Sequence, residues 1–303
     1  MTNKKAVITG AISISAGAIL WGLDGVVLTP RLFNLDVGFV VFILHALPFF
    51  IMQGIFYRQY RFLKSFTPRD YLIIALIAVF GGAIGTMSIV KALFLVNFKE
   101  LSIVVLLQKL QPVFAISLAA ILLKERISRY FLLWASVAIL GGYFLTFGFS
   151  TPSFGETDNS TLAAFYALLA AGSFGSSTVF SKMLLLKYDF KTATFFRYGF
   201  TSMFMFIFVL ITGKITQFEA VTTVNWLIFF IIAFTTGTGA IFLYYHGLKS
   251  VKAVVAIICE LFFPISTIFF DYIFNHNRLT FIQWVSAFVM ITAIIGLNRS
   301  QTE

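Results

Sequence analysis

Long apolar blocks follow one another through this chain, and their length leaves few folds open. About 20 apolar residues, rising 1.5 Å each as an α-helix, cross the ~30 Å of hydrocarbon in a bilayer. Between charged or turn-rich breaks, five such blocks cover residues 6–28, 37–57, 71–95, 101–123 and 129–149. Five more cover 161–183, 192–213, 225–247, 252–274 and 279–298. Only 11% of the residues are charged and the mean hydropathy is +0.95. A soluble domain carries about 25% charged residues, so this chain lacks the polar surface to dissolve. The expected fold class is an all-α membrane protein of ten transmembrane helices.

The first block follows two lysines in "MTNKKAVITGAISISAGAILWGLDGVV". It exceeds the apolar core of a signal peptide and lacks a small-residue cleavage site, so a retained first span is expected. One cysteine, Cys259, excludes an internal disulfide. The formal charge of +10 is spread over short loops, which points to control of topology and away from nucleic acid. With the N-terminus inside, 14 lysines and arginines fall on inner segments against 4 outside. The positive-inside rule then places both termini in the cytoplasm of a cell that holds the protein in its inner or plasma membrane.

The two halves, 6–149 and 161–298, resemble one another. "LLQKLQPVFAISLAAILLKER" aligns with "IICELFFPISTIFFDYIFNHNR" at a shift of 152, which brings Pro112 onto Pro264 and Arg126 onto Arg278. The same shift brings His45 onto Arg197, and a shift of 153 brings Trp21–Gly22 onto Phe174–Gly175. Spans three and eight need about three residues of adjustment within a boundary error of a few residues. Five is odd, so two five-helix repeats enter the membrane from opposite sides. Inverted repeats are the usual build of secondary transporters, with the substrate near the midplane between them.

"LWGLDGVVL" in span one, Q/E-x-x-x-P in spans four and nine, "LLKERIS" closing span four and "GSFGSSTVFSK" in span six carry a resemblance. Over nearly its whole length the chain resembles the drug/metabolite transporter superfamily, specifically the EamA-type ten-helix proteins. The resemblance implies a carrier of metabolites, amino acids or drugs, often an exporter, with a cavity between the halves. The sequence departs from the family pattern at Thr29, where a lysine is expected and which Lys182 matches in the second half. It departs also at Trp134 and Ser286, where glycine is expected, and at Asn277, where an acid is expected.

An ionisable side chain at the centre of a span costs ~2.5–3.5 kcal/mol on insertion scales, so such groups line a pathway or pair. Gln108 and Glu260 each precede a span proline by four residues. Pro112 and Pro264 lack an N–H and so free the carbonyls of Gln108 and Glu260. Each repeat should offer a polar side chain and an open backbone acceptor at one level, or a kink patched by a neighbour. Lys109 sits about 12 Å into span four at 1.5 Å per residue. It is either a structural ion pair, with Asp24 as partner by depth, or an anchor for an anionic substrate group. Arg197 suits a gate or a pair with loop acids. His45 suits a bond to a neighbouring helix, and Trp21 suits stacking on a ligand or ordinary packing. Lys182, His246, Lys91 and Asp271 lie near span ends, where snorkelling is the default. "GGAIG", "AAGSFGSS" and "TTGTGA" mark close helix approach.

Burial favours the neutral form of a carboxyl, so Glu260 is a candidate for proton exchange. The expected function is secondary active transport of an amino-acid-like or amphiphilic metabolite by alternating access, with proton-coupled export. An uptake carrier or a facilitative channel is the alternative. An intramembrane enzyme is disfavoured, because His45, His246 and His276 lie apart without ligand spacing and no H-E-x-x-H occurs. No cofactor and no metal are expected; the partners are a small-molecule substrate, the bilayer and protons, with the chain a monomer.

Overall fold

The computed structural model describes residues 4–96, 104, 107–108, 110–125, 127–149, 158–276 and 280–299. Regular structure among them is entirely helical. Seven helical stretches are long and apolar enough to cross a membrane: Lys4–Leu32, Val37–Lys64, Pro68–Leu95, Thr161–Leu185, Phe190–Ile211, Thr223–Ser250 and Ala253–Phe274. Three shorter apolar helices, Gln111–Leu122, Arg129–Gly141 and Phe281–Ala293, fall within the expected fourth, fifth and tenth spans. Most of the approach to Gln111, Lys109 included, lies outside the described residues.

Local sequence explains where these helices begin. Thr67 and Asp70 form a capping box at Pro68–Leu76, and Thr222 and Asn225 form one at Thr223–Ile232. Each satisfies N–H groups that the first helical turn leaves without partners. Thr222 lies 155 residues after Thr67, which includes the three-residue adjustment expected for spans three and eight. Ser128 caps Arg129–Phe147, and Thr280, 152 residues later, accepts from the N–H of Gln283. Asp36 caps Val37–Phe56 through the N–H groups of Gly38 and Phe39.

Three helices change to the wider π winding, at Asp24–Leu28, Ile77–Ile84 and Ala233–Gly237. The last two stand at matching places in the two halves. The expected open carbonyl at Glu260 is corrected: Phe263 N–H donates to it at 2.9 Å, so a tight turn at Glu260–Leu261 absorbs the acceptor that Pro264 releases. The chain then resumes as the helix Phe262–Asn275.

Packing brings the halves together. Lys4–Leu23 lies against Thr238–Ser250 and Phe262–Asn275; Asp158–Leu185 lies against Gly85–Leu95 and Gln111–Leu122. Val37–Phe56 packs on Phe190–Ile211, and Arg129–Phe147 on Phe281–Arg299. Exchanging first-half helices for their second-half counterparts reproduces this set of pairs. Close approach rests on small residues. A Cβ at Gly247 would meet the Gly10 carbonyl oxygen at 2.3 Å, so those two backbones touch. Large apolar side chains such as Phe50, Ile121, Ile211 and Phe288 are exposed on the outside, as lipid permits and water does not.

Candidate functional site

Where the two halves meet, the helices leave a cavity of ≈ 280 Å³. The π-wound segments reach it at Asp24, Gly25, Thr236 and Gly237. π-Bulges are frequent at functional sites because the winding re-aims side chains. Trp21, Asp24, His45, Gln108, Pro112, Arg197, Glu260 and Pro264 all line it. Every one was singled out from the sequence. Lys109, the remaining expected site residue, lies outside the described residues.

Glu260 sits at the junction of the halves. Its Oε1 accepts from the Tyr244 hydroxyl at 2.6 Å and its Oε2 from the Gln111 amide at 2.7 Å. Tyr244 shares a 2.8 Å hydrogen bond with Thr178 and packs its ring 5.4 Å from that of Trp21. Gln111 opens the helix Gln111–Leu122 with proline directly behind it. The sequence reading had fixed on Gln108 by its spacing from Pro112; the structure gives the bond to the second glutamine of "LLQKLQP". Gln108 shares the cavity wall.

Arg197 is buried and forms no ion pair with an acid among the described residues. Its guanidinium donates at 3.0 Å to the Tyr245 hydroxyl and at 3.0 Å to the Gly81 carbonyl in the π-wound segment. Tyr245 in turn bonds Ser181 at 2.7 Å. His45 bonds the Val41 carbonyl of its own helix at 2.9 Å, where a neighbouring helix was expected, and sits 5.4 Å from the Tyr198 ring. Asp24 accepts from Thr29 at 3.2 Å.

Away from the cavity, polar groups tie helix ends together. Lys182 does not snorkel: it is buried and donates to the carbonyls of Leu248 and Lys249 at 2.8 and 3.1 Å. Glu125 accepts from the N–H groups of Ala253 and Val254 at 2.9 and 3.2 Å. Farther out, buried Asp70 receives Lys187 and the Tyr188 hydroxyl. The hydrogen bond to Asp70 holds the Lys187 ammonium above its ordinary pKa.

Sequence reasoning missed Gln111, Thr178, Tyr244, Tyr245 and Glu125. The tyrosines read as apolar fillers in "IFLYYHG", and only "LLKERIS" signalled Glu125. The assembled site is an aromatic-walled chamber with one carboxylate held by two neutral donors. Among the described residues no three His, Cys, Asp or Glu side chains gather as a metal site.

The model of the EamA-like transporter family matches residues 8–147 and again 161–299. The riboflavin transporter ImpX of Fusobacterium nucleatum subsp. nucleatum is 51% identical over 293 residues, covering 96% of this chain and 98% of that one. A crystal structure of a protein aligns at TM-score 0.66 and 15% identity over 96% of this chain and 95% of the other, and bears on the fold alone. A multi-pass protein of the cell membrane that moves a small molecule, this chain belongs to the EamA-like transporter family.

Proposed function

We propose that the protein carries riboflavin, or a solute built on the same flat heteroaromatic ring, by alternating access between two inverted five-helix repeats, 6–149 and 161–298. Ten spans with both termini in the cytoplasm complete this reading. The family match to each half, the packing pairs that survive exchange of the halves, and the capping residues 155 and 152 apart support the repeat. One observation carries the substrate: a chamber walled by Trp21, Tyr198 and Tyr244, with Glu260 and Gln111 joined across it, in a chain 51% identical to a named riboflavin transporter. The rings offer stacking surfaces. The carboxylate and amide offer an acceptor and a donor for a ring edge that presents an imide N–H and carbonyls. Gln108 and His45 line the same wall, Arg197 braces it, and Lys109 stays in the proposal as the cationic group beside Gln108.

Of the two solute classes expected, amino-acid-like and amphiphilic, this reading takes the amphiphilic one. Purified protein in liposomes should show saturable riboflavin entry and counterflow of labelled riboflavin against unlabelled; conductance without saturation marks a channel. Glu260→Gln should weaken exchange at least about tenfold, the cost of a hydrogen bond to a charged group, and Trp21→Ala should weaken it through the lost stacking surface. Unchanged exchange in both refutes the site. Glu260 as a proton carrier is the coupling arm: an imposed pH gradient should drive net export, and indifference to it refutes that arm alone.

A further inference from the structure

The cavity holds two carboxyl groups, and they are differently provided for. Both Glu260 oxygens have short hydrogen bonds from neutral donors. On Asp24, Oδ2 accepts from Thr29, while Oδ1 is buried without a partner. Thr236, 1% exposed, lines the same cavity as Asp24 and Thr29, and its hydroxyl oxygen is also buried without a partner. Asp24 begins one π-wound segment and Thr236 lies in another, contributed by the opposite half. Both segments interrupt the regular i−4 pairing of their helices at the level of the cavity. The position therefore gathers a carboxylate, two threonine hydroxyls and irregular backbone from two broken helices, with no cationic side chain bonded to it among the described residues.

We propose that Asp24, Thr29 and Thr236 form a sodium site between the halves. Hard monovalent cations take oxygen ligands, and broken helices in transporters supply them from carboxylates, hydroxyls and unwound carbonyls. Sodium neutralises a buried carboxylate that otherwise costs several kcal/mol, and its ligands come from both halves, so occupancy favours the arrangement in which they meet. The site thereby couples a cation to the position of the repeats. The inference rests on the carrier reading, but not on riboflavin as the solute nor on proton exchange at Glu260.

The test uses the full-length protein in detergent and in liposomes. In detergent without any solute, Na+ replacing K+ or choline at constant ionic strength should raise the thermal midpoint. Asp24→Asn should abolish that shift and Thr236→Val should weaken it. In liposomes an inward Na+ gradient should speed entry about 5–150-fold, the span of ordinary coupling between sites, in the wild type only. A wild type whose midpoint and transport ignore Na+ overturns the proposal without appeal to any variant. So does Asp24→Asn that folds and keeps its Na+ response. If the Na+ shift in detergent is present while riboflavin exchange is absent, the cation site stands and the substrate reading falls.

Discussion

Replacing Glu125 by glutamine should loosen the turn that joins Thr238–Ser250 to Ala253–Cys259. The first N–H groups of a helix have no intrahelical acceptor. Here Ala253 and Val254 give theirs to the two oxygens of one carboxylate from the other half of the chain. Hydrogen bonds to a charged group contribute about 1.5–3 kcal/mol each against about 0.5–1.5 for neutral ones. Glutamine has one acceptor oxygen, so one bond weakens and one N–H is left facing an amide N–H. Fully buried, that would cost about 2–4 kcal/mol. Glu125 is half-exposed, and water replaces part of the loss, leaving about 1–2 kcal/mol. The open population of the turn should rise about 5–30-fold. The assay is built in: Cys259, the chain's one cysteine, is fully buried at the far end of the short helix that Glu125 holds. Its maleimide labelling rate should rise by the same factor, and Glu125→Asp should fall between. Labelling that stays at the wild-type rate in Glu125→Gln and Glu125→Ala, with both folded, would show that the carboxylate does not hold this turn.

Tyr244→Phe removes one of the two donors to Glu260 and should raise the KM for riboflavin in liposome exchange about 5–30-fold with little change in thermal midpoint; an unchanged KM refutes its part in the site. Gly247→Leu drives a side chain into the Gly10 carbonyl and should cost about 1–3 kcal/mol, read as a lowered midpoint; a neutral result means the two helices separate freely. Asp70→Asn should destabilise the protein by about 1–3 kcal/mol, chiefly through the buried Tyr188 bond, since Lys187 is too exposed to contribute much. The raised Lys187 pKa fixes the sign with pH. Its stabilising effect is whole below the ordinary value of 10.5 and is lost as pH rises through the higher folded value, so the gap between the midpoints of wild type and Asp70→Asn should narrow slightly in strong alkali without closing, because the Tyr188 bond makes up most of it.

Hydropathy is a local property, and what depends on it was open to reading from the residues. The apolar blocks, the small-residue runs GGAIG, AAGSFGSS and TTGTGA and the rarity of charge within spans all act within a few turns of the chain or against a uniform solvent. Asp24, His45, Gln108, Arg197 and Glu260 were legible one at a time for the same reason: an ionisable or amide group in an apolar block stands out wherever it points. Which of them would meet was not legible. Gln111 and Glu260 are 149 residues apart, and a two-glutamine stretch gives no local sign of which amide faces the other half. Arg197 bonds Tyr245 and the Gly81 carbonyl because a π-wound segment turns that carbonyl inward, and winding of that kind is set by the helices packed around it. Lys182 and Glu125 read as ordinary span-end charges until two helix ends from elsewhere arrive beside them. Solvent preference belongs to each residue alone, while partnership exists only after the chain has closed on itself, and so the sequence determined the membrane fold and tertiary packing decided the site.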